Sequence, residues 1–452
     1  MFEKLFKIFE EDGKKLYHVG GSVRDKLLGL IPKDYDFTTD ALPEETQRIL
    51  TQANISHWPL GEKFGTIAAK VDNLEVEITT HRKDMTSGRH PDVVFTKNLK
   101  SDLARRDFTI NSMAMDSKGT LIDPFGGFKD LHRKVIRATG EPKERFAEDP
   151  LRMLRAVRFV SKLGFRLSSK SLNVIKLYVQ SIMSVSKERQ LEEMNKLLLG
   201  DYVCDALNML KVSRLLNYVL PELHCLAIPN TSKTKSKDLW YHTLTVVSKT
   251  PPQLSLRWAA LLHDIAKPQT IVETPKEVHF FQHEILGAEL TEGILRRLKM
   301  GNNLSKKIVN LIQLHHRIIN VVSRKNDPPV SISGLRRVIR DCEFCSIDEL
   351  IDLFYADCSS NRSATIERQE AHTKLLKQAV KELREEELKP KLPSGIGNEI
   401  MKRFNLSPCK EVGEIKKELD ELLLDGKINS SMSFDEIFGR LKGGKDDVAA
   451  EG

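Results

Sequence analysis

Two aspartates one residue apart follow a glycine-rich segment near the start of the chain. The segment Gly20-Gly21-Ser22-Val23-Arg24-Asp25 precedes Asp34 and Asp36. A β-strand alternates its side chains between two faces, so the two carboxylates would project from one face. Tyr35 and Phe37 would then turn towards a core. Two carboxylates on one face suit a hard cation, so the pattern predicts a site for Mg²⁺ and a triphosphate.

The glycine-rich segment would contact the phosphates. Gly20 and Gly21 carry no side chain that would keep the backbone from closing on phosphate oxygens. A helix predicted over residues 23–28 would present its N-terminal amides to an anion. The hydroxyl of Ser22 would add another donor.

A third carboxylate is available on a later predicted strand. Glu75 and Glu77 alternate with Val76 and Ile78, so both acids share one strand face. One of them could complete the acid set of a two-metal site.

Histidines and aspartates recur in the second half of the chain. They are Tyr241-His242, His263-Asp264, His283-Glu284, His315-His316 and Ala356-Asp357. Imidazole and carboxylate together suit a transition metal such as Mn²⁺ or Ni²⁺. His283 and His315 could be further ligands of such a metal, or they could contact a phosphate.

These residues must be positioned by an α+β first part and a helical remainder. Alternation and β-rich composition predict strands at residues 16–19, 35–38, 66–71 and 75–80, with a helix at 43–53. From Glu144 onward the apolar spacing is helical, and Pro-containing segments divide the helices. We therefore expect an α+β head followed by an all-α body.

Composition limits the classes that the chain can belong to. With 452 residues it should form two to four domains, and its net charge of +8 is compatible with a polyanionic partner. It has no apolar run long enough for a membrane helix, and its six cysteines do not form a disulfide framework. We expect a cytoplasmic protein, or one confined to a reducing organelle, without a membrane partner. Cys342 and Cys345 have no second pair at zinc-site spacing, and residues 335–354 are predicted to be helical.

The first motifs resemble those of the nucleotidyltransferase superfamily that contains DNA polymerase beta. They are closest to its class II tRNA nucleotidyltransferases and bacterial poly(A) polymerases, with five motifs in family order over roughly residues 15–370. The resemblance implies a small mixed-sheet head that holds two Mg²⁺ ions. Asp34 and Asp36 match its metal-binding acids, and Glu77, in Glu77-Ile78-Thr79-Thr80-His81-Arg82, matches its third carboxylate. Gly20, Gly21, Ser22 and Arg24 match its nucleotide-binding turn.

Two further segments match motifs that bind the nucleotide in this family. Residues 105–114 fit the pattern R-R-D-F-x-I-N-x-M-A, so the resemblance makes Arg106, Asp107 and Asn111 candidate substrate contacts. The segment that begins at Glu148 matches the family's base-selecting motif, which contains Asp149, Arg152 and Arg155.

The chemistry of base selection follows from two of these side chains. Asp149 is predicted to cap a helix with Pro150 at its first position, and Arg152 stands three residues later on the same face. Cytosine and adenine each offer an amino donor beside a ring-nitrogen acceptor, whereas uracil and guanine present the reverse order. A carboxylate beside a guanidinium would therefore accept C and A without a nucleic-acid template, with Glu148 and Arg155 as supports.

The second set resembles the HD phosphohydrolase domain. Its H…HD…D pattern maps to His242, His263, Asp264 and Asp357. The combined resemblance implies a head at residues 1–140, a neck for base recognition at 141–222, an HD body at 223–370 and a tRNA-contacting tail at 371–452.

The resemblance implies addition of CMP and AMP, from CTP and ATP, to the 3′ end of tRNA, whose acceptor arm the protein would grip. Three alternatives stay open. The segment Lys83-Asp84-Met85-Thr86-Ser87-Gly88 is about two residues shorter than the usual family loop, as in relatives that stop after CC, although Gly88-Arg89-His90-Pro91-Asp92 is intact. A poly(A) polymerase would share the head chemistry, and an HD phosphohydrolase could use the head only for binding. The sequence leaves the oligomeric state undetermined.

Overall fold

The computed structural model divides into two units, Met1–His224 and Cys225–Gly452. Its described residues are 2–32, 34–61, 64–84, 93–227, 239–273, 278–322, 330–359, 366–386 and 391–441. The short loop around Gly88 and the end of the tail lie outside them.

Eleven strands are described in the first unit. They are β1 (Leu16–Val19), β2 (Tyr35–Thr39), β3 (His57–Gly61), β4 (Thr66–Val71), β5 (Leu74–Thr80), β6 (Arg82–Asp84), β7 (Val93–Phe95), β8 (Ala114–Met115), β9 (Leu121–Ile122), β10 (Val135–Ile136) and β11 (Arg166–Leu167). Seven of them form a mixed sheet in the order β3-β4-β5-β2-β1-β8-β9. Strand β2 runs parallel to β5 and antiparallel to β1, whereas β6-β7 and β10-β11 are separate pairs. The four predicted strands are confirmed.

The helices and 3-10 turns of the first unit surround this sheet and continue beyond it. The helices are α1 (Glu3–Glu11), α2 (Gly21–Leu27), α3 (Pro43–Gln52), α4 (Leu99–Ala104), α5 (Gly127–His132), α6 (Pro142–Glu148), α7 (Leu151–Leu163), α8 (Ser169–Tyr178), α9 (Lys187–Leu198), α10 (Val203–Val212) and α11 (Leu216–Val219). The 3-10 turns are Thr109–Asn111, Val179–Ser184 and Pro221–Leu223. Helix α12 (His224–Ala227) spans the boundary between the units.

The pleat of β2 separates the core from the acids. Phe37 is buried in one hydrophobic cluster with Phe9 of α1 and Leu50 of α3. Because side chains alternate, Asp36 projects from the opposite face, where α4 contributes Leu103 to a second cluster with Val19. The prediction that Tyr35 and Phe37 face the core and Asp36 faces away from it is confirmed, whereas Asp34 lies just before the strand.

A short break between α6 and α7 positions the base-selecting segment. Asp149 precedes Pro150 and adopts an extended backbone, which interrupts the helix. Its Oδ1 accepts a hydrogen bond from the amide of Leu151 at 3.2 Å. This is the predicted capping contact, and Pro150 precedes α7 with helical backbone angles.

The second unit is mostly helical. Its elements are α13 (Leu239–Lys249), α14 (Leu254–Leu262), β12 (Ile271–Glu273), β13 (Val278–Phe280), α15 (His283–Arg297), α16 (Asn302–Leu314), α17 (Arg317–Val321), α18 (Ile332–Asp341), α19 (Ile347–Ser359), α20 (Ile366–Glu386), α21 (Ile396–Arg403), α22 (Lys410–Leu424) and α23 (Phe434–Phe438). The β12-β13 hairpin departs from the all-α prediction. Within the described part of the chain, no helix is both long and apolar enough to cross a lipid bilayer.

One helix prediction in this unit was wrong. The predicted helix over residues 335–354 is divided between α18 and α19. The side-chain oxygen of Asn310, on α16, accepts hydrogen bonds from the amides of Phe344 and Cys345 at 3.2 and 3.4 Å. These bonds replace the helical partners of the two amides, so a turn forms where the local sequence favours a helix.

Candidate active site and candidate metal centre

A cleft of about 570 Å³ opens in the first unit beside the glycine-rich turn. It is lined by Gly20, Gly21, Arg24, Asp34, Asp36, Arg105, Arg106, Asp107, Asn111, Asp149, Leu151, Arg152, Arg155, Arg158, Phe159, Lys162 and Arg189. Among the residues predicted for the head and neck sites, Ser22, Glu77 and the supporting Glu148 are not in this lining. The structure therefore brings the predicted acids, the glycine turn and the base-selecting segment to one place.

Asp36 and Glu77 lie on the neighbouring inner strands β2 and β5, and Asp34 comes just before β2. Asp36 on β2 lies directly opposite Glu77 on β5, so both side chains project from the same face. Burial raises the pKa of Asp36; Arg106 opposes this rise and Asp34 adds to it. Burial also raises the pKa of Glu77, and the charges of Asp36 and Asp34 raise it further. A cluster of mutually repelling carboxylates fits a divalent cation, which would relieve that repulsion.

Gly20 allows the turn to approach the acids. Its φ is +78°, and a Cβ built there would lie 2.8 Å from Nη1 of Arg106 and 3.3 Å from Oδ2 of Asp36. Any side chain at this position would therefore both strain the backbone and crowd the acid. The glycine is required by the geometry of the cleft wall.

Ser22 does not have the role predicted for it. Its side chain is buried, and its hydroxyl donates to the carbonyl of Val19 at 3.0 Å. The hydroxyl thus closes the turn between β1 and α2. It does not line the cleft in which a phosphate would bind.

Four cleft residues form a network of hydrogen bonds that joins the head to α7. Arg24 Nη1 donates to Asn111 Oδ1 at 2.6 Å, and Asn111 Nδ2 donates to Asp107 Oδ1 at 3.0 Å. Asp107 Oδ2 accepts from both Nε and Nη2 of Arg155, at 3.0 and 2.7 Å. Arg155, on α7, is therefore paired with Asp107 of the head.

The charge of Asp107 is stabilised by this network. Burial disfavours the carboxylate, but Arg155 and Asn111 outweigh that cost and lower the pKa of Asp107 to about 2. The same pairing raises the pKa of Arg155. The ion pair is present across the whole neutral range.

The two candidate base-reading side chains are held by separate partners. Arg152 Nη1 donates to Glu148 Oε2 at 2.8 Å, and its Nη2 donates to the carbonyl of Arg105 at 2.9 Å. Glu148 thus holds the guanidinium of Arg152. Asp149 is held by Arg189, on α9, through hydrogen bonds of 2.8 and 3.4 Å.

Several cleft residues were missed from the sequence. Arg158 and Lys162 extend the spacing of Arg152 and Arg155 along α7, so a search for one basic helix face would have found them. Arg189 gives no such signal, because α9 has the charged composition of an ordinary surface helix.

The predicted histidines and aspartates meet in the second unit. Potential ligand atoms group as His242, His263 and Asp264, and as Asp264, His283 and His315. His242 Nε2 lies 3.1 Å from Asp264 Oδ2 and 3.2 Å from Asp357 Oδ1. Asp264 belongs to both groups, since its Oδ1 lies 3.7 Å from His283 Nε2.

The orientation of the imidazoles suits metal binding. The Nδ1 atoms of His263, His283 and His315 lie 2.9, 3.0 and 2.6 Å from the carbonyls of Ala260, Phe280 and Ile312, respectively. An N–H at each Nδ1 leaves each Nε2 free to act as a ligand towards the cluster. Burial opposes protonation of His242, but Asp264 and Asp357 raise its pKa to about 9. The two carboxylates of the cluster thus favour a positive charge beside them. Imidazole nitrogens with carboxylate oxygens are a ligand set that fits a transition metal.

Three family models match successive parts of the chain. The Poly A polymerase head domain matches residues 16–137, the probable RNA and SrmB-binding site of polymerase A matches 164–226, and the HD domain matches 240–334. The CCA-adding enzyme of Geobacillus kaustophilus is 42% identical over 218 residues, which are 48% of this chain and 53% of the relative. The CCA-adding enzyme of Staphylococcus epidermidis is 32% identical over 283 residues, which are 59% of this chain and 70% of the relative. This chain belongs to the CCA-adding enzyme and poly(A) polymerase family.

The structural comparison agrees with this membership. The crystal structure of the Bacillus stearothermophilus CCA-adding enzyme in complex with CTP matches with a TM-score of 0.69 and 25% identity, over 94% of this chain and 92% of that one. The family fold, a nucleotidyltransferase head followed by helices, is therefore that of this chain. In sequence, the chain spans about half the length of the first curated relatives it matches.

Proposed function

We propose that this protein is a tRNA nucleotidyltransferase that adds CMP and AMP, from CTP and ATP, to the tRNA 3′ end without a nucleic-acid template. The observation that carries the proposal is the convergence of Asp34, Asp36, Asp149 and Arg152 on one cleft. Acids suited to phosphoryl chemistry and a pair suited to base reading share one cleft of about 570 Å³. We further propose the division at residues 140, 222 and 370 and a cytoplasmic location.

The reaction joins the RNA 3′ oxygen to the α-phosphorus of the nucleotide and breaks the bond to the bridging oxygen, so that pyrophosphate leaves. Asp34, Asp36 and Glu77 would hold two Mg²⁺ ions, which would supply Lewis acidity and neutralise the triphosphate. Gly20 and Gly21 leave room for the phosphates beside the acids. Arg106, next to Asp36, supplies positive charge on the same side of the cleft.

Base choice would rest on Asp149 and Arg152. A carboxylate accepts from the amino group of cytosine or adenine, while a guanidinium donates to the neighbouring ring nitrogen. With uracil or guanine, the carboxylate would face a carbonyl acceptor and the guanidinium would face an N–H donor. Both protein groups would then lack a hydrogen-bond partner, which is costly in a cleft. The tRNA acceptor arm would be gripped mainly through its phosphates by basic residues of the helical part and tail.

The test is incorporation of each labelled nucleotide, with Mg²⁺, on tRNA transcripts that lack A, CA or CCA. Extension of the bare end by three nucleotides supports the proposal. A halt after two indicates a CC-adding enzyme, and a long ladder with ATP indicates a poly(A) polymerase. Asp34→Ala and Asp36→Ala should each reduce incorporation at least about 1,000-fold, because the developing charge loses its cation. Normal incorporation by both variants would refute the proposal.

A second activity is favoured by the histidine and aspartate cluster. We propose that His242, His263, Asp264 and Asp357 bind Mn²⁺ or Ni²⁺, with His283 and His315 as further ligands, and that this centre hydrolyses phosphate esters. The shared position of Asp264 between two ligand groups supports this proposal. Opening of a 2′,3′-cyclic phosphate to a phosphomonoester, or release of inorganic phosphate from a terminal phosphomonoester, should require added metal and should be lost in His263→Ala. Metal-independent hydrolysis would refute the proposal.

A further inference from the structure

The candidate base-reading acid is held by an arginine from another helix. Arg189 Nη2 donates to Asp149 Oδ2 at 2.8 Å, and Nη1 donates to Oδ1 at 3.4 Å. Both side chains line the cleft and are mostly buried, with exposed fractions of 21% and 16%. A two-point contact of this kind fixes the plane of a carboxylate as well as its position.

The guanidinium of the base-reading pair is fixed independently. Arg152 donates to Glu148 and to the carbonyl of Arg105. An incoming base therefore finds an acceptor and a donor that are already in place, and it need not separate an ion pair between them. Preorganised partners cost less to engage than partners that must first reorient.

The surroundings of Asp149 would not hold it in one orientation without Arg189. Its other hydrogen bond is the capping contact from the amide of Leu151. Arg155 is close enough for its pKa to be raised by the charge of Asp149, and Arg152 lies three residues away on the same helix face. Freed from Arg189, the carboxylate can turn towards either cation, and the acceptor that cytosine and adenine need is lost.

We infer that Arg189 is a positioning residue that sets nucleotide selectivity by orienting the carboxylate of Asp149. The inference rests on the proposed function and adds a residue on α9 to the base-reading apparatus. If the inference holds, loss of Arg189 lowers the discrimination between bases more than it lowers kcat.

The experiment measures kcat and KM for CTP, ATP, UTP and GTP on one tRNA transcript. In Arg189→Gln we expect kcat/KM for CTP and ATP to fall about 10- to 100-fold, mainly through KM, while the values for UTP and GTP change less. Arg189→Lys should retain part of the selectivity, since it keeps the charge but loses the two-point contact. Lys196→Gln is the matched control, because Lys196 is a cation on the same helix, outside the cleft lining, that pairs with Glu192 one turn earlier.

A double variant separates positioning from general stability. Arg189→Gln added to Asp149→Asn should cost little more than Asp149→Asn alone, because Arg189 acts through that carboxylate. The inference would be overturned if the losses in kcat/KM of the two single variants multiplied in the double variant. It would also be overturned if the ratio of kcat/KM for CTP to that for UTP were unchanged in both Arg189 variants. If the wild-type protein adds no nucleotide, the proposed function itself fails. If it adds C and A, and Arg189→Gln does so with the same selectivity, only this inference fails.

Discussion

At the scale of single residues, the geometry of the cleft depends on positions that only one residue type can fill. Gly20 is the clearest case, because both its φ and its neighbours exclude a side chain. Its type was predictable from the motif. The neighbours that exclude a Cβ, Arg106 and Asp36, come from different parts of the sequence and appear only in the fold.

We predict that Gly20→Ala reduces nucleotide incorporation at least about 100-fold, since the new methyl group would displace the side chains of Arg106 and Asp36. Gly29→Ala is the matched control. Gly29 also has a positive φ, of +73°, but nothing lies within 4 Å of its Cβ position. Both variants should lose about 1–2 kcal/mol of stability from the backbone alone. Equal activity of the two variants in the incorporation assay would contradict the prediction.

A second prediction concerns Asp107, whose charge is stabilised by Arg155. The pKa of Asp107 in the folded protein, about 2, lies below its ordinary value of 3.8. The ion pair therefore contributes stability that is fully present above about pH 4 and is lost as the pH falls towards 2. We expect Asp107→Asn to lower the free energy of unfolding by about 2 kcal/mol at pH 7.

Denaturant titrations at pH 7, 4 and 2.5 would check this, with Asp72→Asn in an exposed turn as the control. The difference between wild type and Asp107→Asn should shrink across the acidic range. A difference that stays constant with pH would assign the loss to packing instead.

At the scale of elements, sequence periodicity was sufficient where the local pattern and the tertiary contacts agree. The alternation in β2 and β5 predicts both their existence and the face on which their acids lie. It fails at α18 and α19, because Asn310 acts from a helix about 30 residues earlier in the chain. It also gives no indication of the pairing of Arg189 with Asp149, since the two residues are 40 positions apart. Contacts between residues so far apart in the chain produce no periodic pattern in a single sequence.

At the scale of the whole chain, the two sets of chemical groups lie in different units. The cleft is built from residues before His224, and the histidine and aspartate cluster from residues after Cys225. Each set matches its own family model, so the two proposals can be tested separately.

We predict that Asp264→Asn abolishes retention of Mn²⁺ and Ni²⁺, because Asp264 contributes to both ligand groups. His315→Ala should affect only one of the groups, and His279→Ala, outside both, should bind metal normally. Elemental analysis of the metal-loaded, desalted protein would measure retention. Nucleotide addition by Asp264→Asn should stay within about twofold of wild type, and a larger loss would show that the two activities are coupled.

The pairing of β2 with β5 has a consequence for how the protein reaches its working form. Asp36 and Glu77 face each other because of one particular alignment of two parallel strands that are separated in sequence by α3, β3 and β4. A slip by a single residue would turn Glu77 to the far side of the sheet and would take Val76 and Ile78 out of the core, so a slipped molecule would lose the acidic site together with part of its packing. After dilution from denaturant, the fraction of nucleotide-adding activity recovered would therefore count the molecules that have found the correct alignment, which a measurement of regained secondary structure cannot do.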